Sequence, residues 1–188
     1  VRIRRNHRVG DKMKYILNKL QEKTTNNFRV NEIKLDLDLP ENFKLKKYEI
    51  KNNKLEITEE EKTETLTSKI GLTLNKYKEL NIKVPKYFNA KEPIIIRYTF
   101  EENNDLAENI NIEYESSSSA NIIFIYNSKD DTKSFHFFKE NLIMQENSNA
   151  TISIINLINS NSESFISIES NVKENASVTH NIIDLGGK

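Results

Sequence analysis

The feature that most constrains the fold is a repeated pattern in the second half of this 188-residue chain. Three windows begin with apolar residues that alternate with polar ones, pass a corner rich in Asn, Ser or Glu, and end on an alanine, namely residues 111–120, 141–150 and 167–176. Each is followed by a second strand-like run, and the alanines lie 30 residues apart (120 to 150) and then 26 apart (150 to 176). A repeat of this length without a helical period predicts a parallel β-solenoid, in which each coil stacks on the coil before it.

A β-sandwich is the alternative, because its strands can be spaced in the same way. We rank it second, since sandwich strands need not recur in register and these do. A solenoid needs a cover at each end, because an uncovered coil leaves a row of unpaired backbone groups. Nothing after Ile183 has the pattern of a cap, and the chain begins with Val1 and stops at Lys188 soon after a strand-like run. We therefore expect the chain to be truncated at its C-terminus, with more coils to follow.

The first half of the chain has a different organisation. Residues 11–23 predict a helix, because Asp11 can cap it and four apolar residues follow at positions i, i+3, i+4 and i+7. These four are Met13, Ile16, Leu17 and Leu20. From residue 32 the period changes to two, which indicates short strands, and a strongly β-prone run begins after Pro93. The sequence thus predicts a small N-terminal α+β region over residues 1–92 and the first coils of a β-helix over residues 93–188.

Composition narrows the possible functions. Lys plus Arg and Asp plus Glu number 28 each, so the net charge is zero and gives no electrostatic reason to expect a nucleic-acid or membrane partner. Cysteine does not occur, which excludes disulfides, thiolate metal ligands and a thiol nucleophile in this chain. The sequence has no apolar run of about 18 residues, and no hydrophobic core follows its arginine-rich start as a signal peptide requires. These features predict a cytoplasmic protein.

Few side chains are candidates for chemistry. His136 stands among aromatic residues and is interpreted as a structural imidazole at a solenoid corner, with a ligand or proton carrier as the alternative. His180 alternates with Val178 and Ile182 and is interpreted as a partly buried coil residue. Carboxylates could serve a β-helical glycosidase or another acid–base site, but the sequence does not cluster them, so we interpret them as surface charges. The carboxylates considered are Glu113, Glu115, Glu169, Asp36 and Asp38. No residue is assigned to a catalytic, cofactor-binding or metal site.

Several short segments, taken in order, resemble the SufB/SufD family of SUF iron–sulfur cluster assembly scaffolds, and most closely its SufD side. The resemblance covers residues 24–188, patchily before residue 92, and depends on the ordered series rather than on one motif. Its segments are residues 28–32 (FRVNE), 92–96 (EPIII), 111–114 (NIEY), 119–123 (SANII), 134–136 (SFH), 146–150 (ENSNA) and 184–187 (DLGG).

The resemblance implies a right-handed parallel β-helix core between an N-terminal region and a C-terminal helical region. It also implies a non-catalytic scaffold subunit that pairs with a SufB-like or SufD-like subunit through the β-helix. A SufC-type ATPase would bind through a C-terminal region missing here. The ATPase activity would belong to that partner, in keeping with the lack of a G-x-x-x-x-G-K-[ST] motif in this sequence.

The family's cluster-building Cys and His positions are not matched in this chain, so the resemblance assigns it no ligand and no cofactor. The iron–sulfur cluster would be handled by the complex. The alternative function for a β-helix is that of a carbohydrate-active or surface-binding protein, which predicts a secretion signal upstream of Val1.

Overall fold

The computed structural model describes residues 12–17, 33–38, 48–51, 55–68, 72–101, 105–129, 131 and 133–186, with residues up to 51 described by their backbone alone. Within these ranges the chain forms strands and no helix. The strands are β1 (Lys12–Leu17), β2 (Ile33–Asp38), β3 (Tyr48–Lys51), β4 (Glu56–Lys62), β5 (Leu66–Thr67), β6 (Thr73–Leu74), β7 (Tyr77–Val84), β8 (Ile94–Phe100), β9 (Leu106–Tyr114), β10 (Ser119–Ser128), β11 (Phe135–Met144), β12 (Asn149–Leu157), β13 (Glu163–Val172) and β14 (Ser177–Asp184).

Two sheets contain parallel strands in the orders β8-β10-β12-β14 and β7-β9-β11-β13. In each pair of consecutive strands, one strand belongs to the first sheet and the other to the second. The chain therefore winds through four coils: β7 with β8, β9 with β10, β11 with β12, and β13 with β14. Cα partners in adjacent coils are 30 residues apart (Asn81 to Asn111 to Asn141) or 28 apart (Asn141 to Glu169). The predicted parallel β-solenoid is confirmed, since the pairing within both sheets is parallel from coil to coil.

The alanine alignment is right for the first pair of windows and wrong for the second. Ala120 is the Cα partner of Ala150, but Ala150 is paired with Val178 and not with Ala176. What recurs at each corner is a residue with left-handed backbone, φ between 55° and 63°: Tyr87, Ser117, Asn147 and Asn175. Asn is one of the few residues besides Gly that tolerates this conformation. The backbone at the corner therefore sets the repeat, and the fourth coil follows the third by 28 residues rather than 26.

Alternate residues of each strand point into the solenoid and stack on their equivalents in the next coil. One such row consists of Ile96, Phe124, Ile154 and Ile182, of which the first three are 0% exposed. Aromatic rings stack in the same way, and those of Tyr98 and Tyr126 have centroids 5.0 Å apart and planes within 4°. Burial of these rows from water is the main source of stability for the fold.

The first coil is covered by antiparallel strands. β4 pairs with β7 and β3 pairs with β8, so each sheet has an antiparallel strand at this edge. These strands cap the solenoid, because they pair backbone groups that the first coil would otherwise leave open. Parallel stacking begins with β7. The sequence predicted that the coils begin after residue 92, so the first coil starts earlier in the chain than predicted.

The predicted helix over residues 11–23 is wrong where the structure describes it. Lys12–Leu17 is strand β1, which pairs with β2 in antiparallel register. In that register Met13, Tyr15 and Leu17 are opposite Leu37, Leu35 and Ile33. The apolar residues of this segment fit a period of two as well as the helical period. Strand β2 has the same alternation and can pair with the segment, whereas a short isolated helix has only marginal stability, so the strand is favoured. Residues 11 and 18–23 lie outside the described ranges, whereas the strand predicted from Ile33 onward is confirmed.

Candidate functional site

The fourth coil forms the open end of the solenoid. β13 and β14 are the last strands of their sheets, so in the described part of the chain each is paired on one side alone. Apolar side chains are correspondingly exposed here: Ile182 is 53% exposed and Leu185 is 76% exposed. Val172 and Ile183 are exposed as well. We call the outward edge of β13 and β14, with these four side chains, the open end.

The open end has the two properties of a surface that binds another protein. Its backbone N–H and C=O groups can extend either sheet, as in recognition by strand addition. Its inward apolar side chains, Ile182 and Val172, continue the rows of the earlier coils and form the start of a further layer of core. Pairing with another β-structure would therefore satisfy both the backbone and the apolar surface.

A cluster of polar side chains lies inside the second and third coils. The Tyr126 hydroxyl donates a short hydrogen bond to Glu108 Oε1, and both residues are 0% exposed. Nε2 of His136, which is also 0% exposed, lies 3.8 Å from the same oxygen. Its Nδ1 is 3.1 Å from Ser164 Oγ in the fourth coil. Burial raises the pKa of the Tyr126 hydroxyl well above its ordinary value, and the Glu108 carboxylate adds to this, so the phenol remains a proton donor.

A second buried carboxylate connects the third coil to the fourth. Glu140, on β11, is 0% exposed, and its Oε1 lies 2.8 Å from Nε2 of His180 on β14. The His180 side chain is 19% exposed. Burial, with a contribution from the charge of Glu140, raises the pKa of Tyr114, so that this phenol also stays neutral. The interior of the solenoid thus contains two carboxylates and two imidazoles within a mainly apolar core.

Three atoms of this interior have no hydrogen-bond partner among the described residues: Glu108 Oε2, His136 Nε2 and Glu140 Oε2. Buried polar atoms without partners are rare because they carry the full cost of desolvation. In the described ranges no three His, Cys, Asp or Glu side chains are grouped in a way that could hold a metal ion. The buried groups contact one another within and between the second, third and fourth coils.

Comparison of the chain with protein-family models, with curated proteins and with solved structures gives no match. The described residues include no helix long and apolar enough to cross a membrane. A function can therefore be proposed only from the fold, the site geometry and the sequence resemblance.

A pocket of about 370 Å³ lies on the outer face of the sheet that contains β7, β9 and β11. Its floor is a column of asparagine amides, in which Asn111 donates to Asn81 and Asn141 donates to Asn111, each at 2.8 Å. Glu56, Lys83 and Glu113 form one cross-strand row beside this column. The amides satisfy one another, so the column fixes the register of three coils.

The histidines considered from the sequence lie on the interior side of their strands. His136 is inside β11, so its placement at a corner is wrong, and the imidazole is enclosed by aromatic rings. The tilted ring of Tyr126 is nearest, with centroids 4.1 Å apart. His180 is partly buried, as predicted.

Among the carboxylates considered from the sequence, Glu113 and Glu115 lie near the same lysine, Lys83, on the outer surface. Glu115 contacts Lys83 Nζ at 2.8 Å and accepts a hydrogen bond from the Lys86 backbone N–H at 2.7 Å, and these bonds lower its pKa. Glu113 accepts a hydrogen bond from Gln145 at 3.4 Å on the outer face, and Glu169 lies on the fourth coil. The interpretation of Glu113 and Glu115 as surface charges is confirmed. The side chains of Asp36 and Asp38 lie outside the described part of the structure.

Sequence reasoning missed Glu108 and Glu140. Both occupy inward positions: Glu108 precedes Ile110 and Ile112 at two-residue spacing, and Glu140 precedes Leu142 in the same way. The available signal was a charged residue in phase with the apolar positions of a strand, which predicts burial of that charge.

Proposed function

We propose that this chain is a non-catalytic scaffold subunit of a SUF-type iron–sulfur cluster assembly complex, which supports cluster assembly and transfer to apo-proteins. The observation that carries the proposal is the position of the SufB/SufD-like segments on the solenoid. Residues 119–123 begin β10, and residues 146–150 lead into β12, with Ser119 paired to Asn149. The two segments overlap in register at Ser119 with Asn149 and at Ala120 with Ala150, and the β-solenoid is the type of fold that the resemblance implies, which supports the proposal.

The open end supports the scaffold role. A partner of SufB or SufD type would itself present β-solenoid strands, which are suited to cover the backbone edges of β13 and β14. Burial of Ile182 and its exposed neighbours would add apolar contact to the backbone pairing. In this proposal the chain supplies shape and a docking surface, and a separate SufC-type subunit supplies ATP hydrolysis.

The outer pocket is the place where a carbohydrate-active β-helix would act, and it supports that alternative less well. Glu56 and Glu113 lie on either side of Lys83 in one row. Hydrogen bonding to Glu115 raises the pKa of Lys83, and the charges of Glu113 and Glu56 add to the effect. Carboxylates that share a lysine in this way form a surface ion cluster, whereas a glycosidase needs one carboxyl group held protonated beside an ionised one.

Co-purification tests the proposal. An affinity-tagged copy of the chain, produced in cells of its own source, should capture an ATPase subunit and a SufB-like or SufD-like subunit, identified by mass spectrometry. A tagged protein that remains a monomer and captures neither subunit would contradict the proposal. Binding to polysaccharide without either subunit would favour the carbohydrate alternative.

A pair of variants tests the role of the open end. Ile182→Lys places a charge on the apolar surface of the last coil and should reduce capture of the solenoid partner by about tenfold or more, the loss typical of a central interface residue. Ile143→Lys is the matched control, because Ile143 is 43% exposed on the outer face of β11, away from the open end. Thermal unfolding of both variants checks that any loss of capture is not a loss of fold. Equal capture by both folded variants would show that the partner docks elsewhere.

A further inference from the structure

The fourth coil is attached to the third by more than its two β-ladders. Glu140 and His180 belong to different coils and to different sheets, so their contact crosses the interior of the solenoid. Glu140 is aligned with Ile110 and Ile168 in its own sheet, and His180 with Ile152 in the other. The pair is thus surrounded by apolar rows, in which the strength of an electrostatic contact is greater than in water.

The proton content of the pair decides its net charge. With one proton between them, the carboxyl group and the imidazole are neutral together, either as carboxylate with imidazolium or as acid with imidazole. With no proton the pair has a charge of −1, and with two protons it has a charge of +1. A net charge in an apolar interior is unfavourable, so the docked coil favours the state with one proton.

The polar and titratable groups nearest the pair belong to the strands packed around it. Tyr114 from β9 and Tyr126 from β10 are held neutral by burial. Glu108 from β9 is engaged with Tyr126, and His136 from β11 lies beside it. On β14 itself Asp184 is exposed and accepts a hydrogen bond from Asn156 of β12 at 3.0 Å. On β13, Ser164 contributes its hydroxyl to His136.

When the fourth coil moves away from the third, water reaches both members of the pair. Either charge state is then solvated, and the preference for one proton disappears. Docking of the coil and proton occupancy are therefore linked, with docking strongest where a single proton is held. We propose that Glu140 and His180 form a proton-dependent latch that fastens the fourth coil of the solenoid onto the third. The latch is independent of the function proposed above.

Hydrogen exchange as a function of pH tests the latch. The observable is the protection factor of fourth-coil amides, corrected for intrinsic exchange: those of β14 and the Leu185 amide, which donates to Asn156 O at 2.9 Å. The reference is the Asn149 amide of the third coil, which donates to Ser118 O at 2.9 Å. Protection of the fourth coil relative to the reference should pass through a maximum between acidic and alkaline pH, where the pair holds a single proton. Towards pH 9 it should fall by about tenfold relative to the reference, because loss of the shared proton leaves a buried carboxylate without its counter-charge.

Two isosteric variants separate a latch from simple packing. In His180→Gln and in Glu140→Gln one titrating partner is replaced by an amide that still forms hydrogen bonds, so the pH maximum should flatten in both. Asn181→Ala is the matched control on the same strand, because it removes an exposed hydrogen bond to Ser153 and leaves the pair intact. The control should keep the wild-type pH profile. The latch is refuted if fourth-coil protection in the wild type follows the reference at every pH, or if His180→Gln retains the maximum.

Discussion

The first and last coils that the structure describes contain the same rows of residues and differ in how they are covered. At the first end, antiparallel strands β3 and β4 pair with the first coil, and Ile96 is 0% exposed. In the last described coil, β13 and β14 each have a partner strand on one side alone among the described residues, and Ile182, in the same row as Ile96, is 53% exposed. The comparison shows that stacking buries the middle coils, whereas the first coil is buried with the help of antiparallel strands.

Substitutions within the row that contains Ile96 and Ile182 give the strongest test of the difference between the first and last coils. Ile96→Ala should lower the free energy of unfolding by about 2–5 kcal/mol, because it opens a cavity in a closed core. Ile182→Ala should lower it by less than about 1 kcal/mol, since half of that side chain is already in contact with water. The measurement is chemical denaturation of both variants and the wild type, monitored by circular dichroism.

The row provides its own control, because the residue type, the truncation and the inward position are the same at both ends. Equal losses would mean that Ile182 is covered in solution, and the distinction between a capped and an open end would then have to be abandoned.

Substitutions of polar groups test the same difference between the coils, with smaller expected changes in unfolding free energy. Tyr126→Phe removes the hydrogen bond to Glu108 inside the second coil, and the buried carboxylate left behind should cost about 1–3 kcal/mol in unfolding free energy. Asp184→Asn is the counterpart at the open end: Asp184 belongs to the same row and is exposed, so its change should stay within about 0.5 kcal/mol.

The pH dependence of Tyr126 gives a second measurement on the same variant. Because burial raises the pKa of its hydroxyl, the folded protein retains a proton that the unfolded chain loses above pH 10, near the ordinary tyrosine value. The unfolded state then binds fewer protons, so the stability of the wild type should fall as pH rises through this range. Tyr126→Phe should reduce the alkaline loss. An unchanged alkaline profile would argue that the phenol is accessible to water.

The smallest effect on stability is expected from a substitution on the outer surface, because side chains there are partly exposed in every coil. The bond from Lys83 and the Lys86 backbone N–H hold the pKa of Glu115 below the ordinary glutamate value. The resulting stabilisation is present above the unfolded pKa and is lost as pH falls through the folded one. Glu115→Gln should therefore differ slightly from the wild type in denaturation midpoint at pH 7 and converge with it near pH 3. A difference that persists in acid would assign the effect to packing.

Much of the fold was available from local patterns. Two-residue alternation along residues 111–114 and 141–144 fixed the inward faces, and the 30-residue spacing from Ala120 to Ala150 fixed the stacking of two coils. The next coil was misaligned by two residues because alanine was taken as the marker. The left-handed corner is the physical constraint, and Asn147 and Asn175 carry it at the correct spacing of 28.

The helix and the polar interior were harder to predict, for a common reason. Lys12–Leu17 fits both periods, and its partner strand decided between them. The contact of Glu140 with His180 joins residues 40 apart on opposite sheets, so it depends on how wide the coil is as well as on where its corners lie. The two-residue alternation along one strand predicts that a charged side chain is buried. It cannot predict which group on the opposite sheet contacts that side chain.

The hydrogen bonds in the column of asparagines on the outer face all have the same orientation. In each step a side-chain N–H points back to the oxygen of the preceding coil, from Asn141 to Asn111 and from Asn111 to Asn81, so the amide dipoles add head to tail along the axis. The next position in register is Glu169, whose carboxylate has no N–H to pass on. The series of donors therefore ends at Asn141 in the third coil, and the outer face of the sheet has a direction even where the backbone repeats itself.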